Sequence, residues 1–119
     1  MRRGEAEGVY VPARGDLVWL DLRPARGHEQ SGRRPALVLS PQQYHTRTGL
    51  LVACPVTSRA KGYPFEVALS ADTALTGVIL TDHVRSLDWT TRNCQCIEQV
   101  DKKTLQDTID KLSTLLGMV

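Results

Sequence analysis

From Asp101 onward the apolar residues repeat every three or four positions, setting Leu105, Ile109, Leu112, Leu115 and Leu116 on one helical face. Everything before that point is strand-length. Residues 16–22, DLVWLDL, alternate polar and apolar side chains as a half-buried strand does. Residues 36–39 and 50–56 are apolar runs, the second nearly continuous, which implies burial on both faces. Residues 65–69, 77–80, 84–89 and 93–98 are further short strands, the first two separated by a polar turn at 70–72. Over 41–48 a single helical turn is expected, with Ser40 as N-cap, Pro41 in the first position and Gly49 as its stop. Asp101 and Gly117 bracket the final helix in the same way. Many short strands followed by one amphipathic helix admit few architectures. The expected one is α+β and mainly antiparallel β: a small, strongly curved barrel with the C-terminal helix docked on it.

A chain of 119 residues closes one modest core, so the expected division is a loose leader over 1–13 and a single domain over 14–119. No apolar run approaches the ~20 residues that cross a membrane. The arginines near the start precede no apolar stretch, so no secretory signal is expected and the compartment is read as cytoplasmic. A net charge of +2 gives no broad field for nucleic acid. The cations are nevertheless gathered: Arg23, Arg26, Arg33, Arg34, Arg47, Arg59 and Lys61 all fall between the first strand and the fourth. Such a local patch suits single-stranded RNA or another anionic ligand. Cys54, Cys94 and Cys96 form no even disulfide framework, and two of them share one strand face. Zinc would need His45 or His83 as a further ligand, at a spacing unlike any zinc motif. No metal or cofactor is expected, and the thiols read as small buried hydrophobes.

Residues 27–41, GHEQSGRRPALVLSP, join a polar, glycine-containing loop to an apolar strand. An acid, a base and fixed positive charge thus stand on a loop backed by rigid scaffold, which is how a site for phosphate chemistry is built. A second polar cluster, Thr57-Ser58-Arg59 with Lys61, ends the next apolar run in the same way.

Seven blocks, in order, carry a resemblance over nearly the whole chain: GDLVWLDL with Pro24, GHEQSGRRPALVLSP, Tyr44 with Thr48-Gly49, CPVTS, KGYPFEV, GVILTDHVRSLDW and the final helix. On these the chain resembles the MazF/PemK (Kid) family of toxin endoribonucleases from toxin–antitoxin systems. The resemblance implies an SH3-like, CcdB/MazF-like barrel, a homodimer, and metal- and ribosome-independent cleavage of single-stranded mRNA at short sequences, which inhibits translation. It also implies a MazE-like antitoxin whose tail covers the site. The family's catalytic arginine falls on Arg34, its threonine on Thr57 and the glutamate of its E-Q-x-G loop on Glu29. One branch also uses a histidine before that glutamate, where His28 stands. That branch adds an aspartate, matched by Asp82, and an arginine two residues earlier, whose place is held by Leu80. The departure favours the Arg34 and Thr57 pair. Around them the expected RNA contacts are Arg33, Ser58, Arg59, Lys61, Asp82, Arg85 and Trp19.

The chemistry accounts for these residue types. Metal-free RNA cleavage uses the substrate's own 2′-hydroxyl, leaving 2′,3′-cyclic phosphate and 5′-hydroxyl ends. Arginine offers two phosphate oxygens a planar fork that lysine cannot copy. With a pKa above ~12 it is a poor proton donor. Proton transfer therefore falls more naturally to His28 or Glu29, and Thr57 can hold a phosphate oxygen or the 2′-hydroxyl.

Plainer readings stand beside each. Arg34 could pair with Asp16 or Asp21 at a strand end, and Thr57 could bond to backbone. His28 and Glu29 could be loop residues without a role, and Trp19 a packing residue. Arg59, Lys61 and Arg85 could be solvated, and Gly62-Tyr63-Pro64 is most simply a turn. Two rival functions remain open: a CcdB-like gyrase inhibitor, which needs a tryptophan–glycine ending where this chain reads Leu116-Gly117-Met118-Val119, and a non-catalytic barrel that binds RNA or peptide.

Overall fold

In the computed structural model, which describes residues 5–6, 9–23, 27 and 32–118, a short antiparallel hairpin pairs β1 (Glu5–Ala6) with β2 (Val9–Tyr10). The main sheet comprises β3 (Asp16–Asp21), β4 (Arg33–Val38), β5 (Leu50–Thr57), β6 (Glu66–Ala68), β7 (Val78–Leu80), β8 (Arg85–Asp88) and β9 (Gln95–Gln99). Helix α1 (Gln42–Thr48) joins β4 to β5, a 3-10 turn (Thr81–His83) joins β7 to β8, and α2 (Lys102–Leu115) follows β9. Every pairing is antiparallel, in the order β6-β7-β5-β4-β3-β9, with β8 added beside β5. The antiparallel fold with a docked C-terminal helix is as expected. The barrel is not closed: among the described residues no pairing joins β6 to β9.

The near-continuous apolar run of β5 is explained by its three partners. One edge pairs with β4; the other pairs with β8 through residues 50–53 and with β7 through 56–57. Pro55, which has no N–H for a ladder, sits at the hand-over between β8 and β7. Alternate residues then enter two cores. Leu17, Leu37, Cys54, Val56 and Ile79 pack on the face covered by Leu105 and Leu112 of α2. Val18, Leu20, Val38, Leu51 and Leu87 pack on the other, with Tyr10 and Trp89. Each fully buried leucine contributes roughly 1.5–3 kcal/mol.

Two local expectations are corrected, for Ser40 and for α2, and the stretch from Tyr10 to Ala13 is tied down. Ser40 does not cap α1; Pro41 occupies that position. The Ser40 hydroxyl lies 2.6 Å from Nε2 of the buried His45 and accepts the Val52 N–H at 2.8 Å. His45 Nδ1 is 2.7 Å from the Pro12 carbonyl, which can only accept, so the ring proton resides on Nδ1 and Ser40 donates to Nε2. The leader expected over 1–13 is packed from Tyr10: its hydroxyl donates to Asp16 at 2.5 Å, the Ala13 N–H donates to the same carboxylate at 3.0 Å, and Pro12 is tied to His45. The apolar stripe of α2 leaves the protein before its end, with Leu115 42% and Leu116 62% exposed, while Thr104 and Thr108 are the helix's buried residues. No helix among the described residues is long and apolar enough to cross a membrane.

Candidate active site

Arg34 belongs to a strand, not to a loop. β4 starts at Arg33, three residues before the expected position, because Arg33 and Arg34 pair with Asp21 and Leu20 of β3. On its other side β4 meets β5 in the register Ala36↔Pro55. Arg34 and Thr57 each lie two residues past the last pair of that ladder, so alternation keeps them on the face of Ala36 and Pro55. Both side chains line one open cavity of about 660 Å³. Thr57 is buried, and its Oγ1 accepts the Arg59 N–H at 3.2 Å, which turns the chain out of β5. The plainer reading of Thr57 as a backbone-bonded hydroxyl thus holds, and its O–H can still donate toward the cavity.

Ser58, Arg59, Lys61 and Asp82 line the same space, together with Tyr63, Glu66, His83 and Leu80. The cations Arg34, Arg59 and Lys61 come from β4 and the loop after β5, and Asp82 and His83 from the 3-10 turn after β7. The Glu66 carboxylate accepts backbone N–H groups of Lys61 and Gly62 at 3.0–3.2 Å. Beneath the cavity the Cys54 thiol points at the Thr81 carbonyl, 3.8 Å away. Burial pushes that thiol up to about 12, so it stays protonated and inert at neutral pH.

Three expected RNA contacts stand elsewhere. Arg33 is one residue from Arg34 and so faces the opposite side, donating to the Asn93 carbonyl at 2.8 Å and the Gln95 amide oxygen at 2.7 Å. Trp19, opposite Pro35 and Gln95, is half-buried on that same side. Arg85 reaches over the sheet to the Leu22 carbonyl at 3.3 Å and does not line the cavity. His28 and Glu29 lie outside the described residues. The acids named as plainer partners for Arg34 have others: Asp16 holds Tyr10 and Ala13, and Asp21 is gripped by Arg23 Nε and Nη2 at 2.9 and 2.6 Å. Those Arg23 bonds hold Asp21 far below the usual carboxylate range.

Sequence reasoning passes over Tyr63, Glu66 and His83. Tyr63 reads as part of a turn and His83 as a weak zinc ligand; Glu66 stands with Tyr63 in the KGYPFEV block, where neither is given a site role. Glu66 opens β6 opposite Leu80, and both of these residues line the cavity.

Residues 13–116 match the family described as PemK-like, MazF-like toxin of type II toxin-antitoxin system. The chain is 44% identical over 108 residues to the endoribonuclease toxin MazF of Escherichia coli K12, covering 91% of this chain and 96% of that protein. The fold matches crystal structures of MazF from Deinococcus radiodurans (TM-score 0.90, 56% identity, 92% of this chain and 100% of that one). It also matches MazE–MazF from the same organism (TM-score 0.83, 51% identity, 93% and 100%). The chain belongs to the PemK/MazF toxin family.

Proposed function

We propose that this chain is the toxin of a toxin–antitoxin pair and halts translation by cutting single-stranded mRNA at a short sequence. The observation that carries the reading is the single cavity lined by Arg34 and Thr57 together with Arg59 and Lys61. The substrate's 2′-hydroxyl attacks the adjacent phosphorus, forming the 2′,3′-cyclic phosphate, and the 5′-oxygen leaves with a proton. Arg34 holds two non-bridging oxygens as charge gathers on them, an interaction worth about 2.7–4 kcal/mol per donor in comparable sites. Thr57 donates to one of these oxygens or fixes the 2′-hydroxyl. Arg59 and Lys61 track neighbouring phosphates, and Ser58 and Asp82 face the bound nucleotides. Glu29 and His28 are the proposed proton-transfer groups. The E. coli relative named an endoribonuclease supports the activity.

The proposal includes a homodimer in the cytoplasm, held inactive by a MazE-like antitoxin. Likeness to the MazF of a MazE–MazF crystal structure supports the partner. The uncovered apolar end of α2, where Leu116 is 62% and Met118 73% exposed, supports a second covering chain. A gyrase inhibitor is the weaker reading, because it gives the Arg34–Thr57 cavity no task. Incubation with a long end-labelled RNA in excess chelator tests the proposal. Cleavage to 2′,3′-cyclic phosphate ends is expected; intact RNA, or a 5′-phosphate product, would overturn it.

A further inference from the structure

The loop over 58–65 is built more tightly than a connection between two strands requires. The Glu66 carboxylate accepts the Lys61 N–H at 3.1 and 3.2 Å and the Gly62 N–H at 3.0 Å. Consecutive N–H groups converge on one anion only when the chain turns back on itself, and Gly62 supplies that turn with a φ of +78°. The Glu66 N–H returns to the Tyr63 carbonyl at 3.1 Å, and the Lys111 ammonium of α2 donates to the Pro64 carbonyl. Four tethers therefore fix a segment whose most prominent side chain is turned outward. Tyr63 is 60% exposed, lines the cavity shared by Arg34 and Thr57, and has the Lys61 ammonium 6.0 Å from its ring centre.

We infer that Tyr63 is a stacking platform for one unpaired base beside the scissile phosphate, and that Glu66 is the positioning residue that sets the platform. The inference rests on the proposed RNA-cutting reading. An aromatic ring held rigidly at the rim of a cationic cavity meets the two needs of single-stranded nucleic acid: phosphates on the cations and a base face on the ring. Lys61 serves both, close to the ring and free to reach a phosphate. The Tyr63 hydroxyl is not needed for stacking, so phenylalanine should serve as well.

The test begins by mapping the wild-type cut sites on a long mixed-sequence RNA. An oligonucleotide spanning one mapped site, 2′-O-methylated at the attacking hydroxyl so that it binds uncut, is then made with a single abasic position moved along it. Fluorescence anisotropy reads each affinity. For wild type, one abasic position next to the cut should weaken binding about tenfold or more. For Tyr63→Ala the intact oligonucleotide should bind weaker by the same factor, with no further loss at that one position. Tyr63→Phe should follow wild type. Glu66→Gln should raise KM with kcat unchanged, and its loss should shrink at the same abasic position. Full and independent losses at every position for Tyr63→Ala overturn the inference while leaving the cleavage reading intact. Normal RNA binding by Tyr63→Ala with a shift from dimer to monomer in light scattering assigns the ring to a second copy of this chain instead. A wild-type protein that neither cuts nor retains RNA removes the underlying reading and this inference with it.

Discussion

Gly77 packs so closely on the backbone of Thr57 that a side-chain carbon at residue 77 would lie 2.4 Å from the Thr57 carbonyl oxygen and 3.0 Å from its carbonyl carbon. Gly77 also has a φ of +137°, which L side chains rarely adopt. Gly77→Ala must therefore push the end of β5 aside. If Thr57 acts in cleavage as proposed, through its exact placement, kcat should fall about tenfold to a hundredfold with a smaller change in KM. Strain should also lower stability by about 1–3 kcal/mol. Steady-state cleavage and a thermal melt on the same sample measure both; a variant that melts early yet cuts at the wild-type rate would separate Gly77 from the chemistry.

Arg34→Lys keeps the charge and loses the fork. If two phosphate oxygens are held at once, turnover should fall strongly while RNA affinity is largely kept. Arg34→Ala should lose on the order of 10²-fold or more. Single-turnover cleavage and filter binding on one RNA give the two quantities, and normal turnover by the alanine variant sinks the proposed role.

Arg59 lines the cavity and follows Thr57 by two residues. As a phosphate contact it should contribute about 0.7 to the slope of log affinity against log salt, so Arg59→Ala should shallow the slope by that amount without altering the cut sequence. Arg33→Ala, on the opposite face, should leave the slope unchanged. Equal effects from both would mean that RNA wraps round the sheet edge.

His45 gives the fold an acid-sensitive joint. Burial lowers its pKa from the ordinary 6.5, partly offset by the Pro12 carbonyl and by Asp16. The unfolded chain thus takes up the proton first, so the stability is fully present above about pH 7 and falls as pH drops below 6.5. Urea midpoints should decline from pH 7 toward pH 5, before the carboxylates begin to titrate. Ser40→Ala removes the donor to Nε2 and should cost about 1–3 kcal/mol at pH 7.5. A midpoint flat across this range would show that His45 accepts the proton without loss.

How far the sequence can be read depends on whether a residue's task is local. β5 and α2 are legible because an unbroken apolar run and a period of 3.6 mark them, whereas β3 is legible as a strand but not as the half-buried one expected: Leu17 and Val18 enter opposite cores. The start of β4 is not legible, since two arginines and a proline look like loop until β3 and β5 are there to pair with them. Once β4 is known to begin at Arg33, alternation separates Arg33 from Arg34, and only one can face Thr57. Ser40 misleads for a related reason: a serine before a short helix is usually its cap, yet here His45, five residues on, competes for its hydroxyl. Tyr63 and Glu66 stand in one sequence block, KGYPFEV, but their relation is not legible there, because it is made by a loop folding back on its own strand.

The segment 58–65 is anchored at both ends in the sheet, by Thr57 in β5 and by Glu66 in β6. On the proposed reading, Thr57 at one end belongs to the cutting, and contact with a base falls to what hangs between the ends. That makes the segment an exchangeable cassette: a length-matched graft that keeps the carboxylate at residue 66 and glycine at 62 can change the vocabulary of the toxin without relearning its grammar.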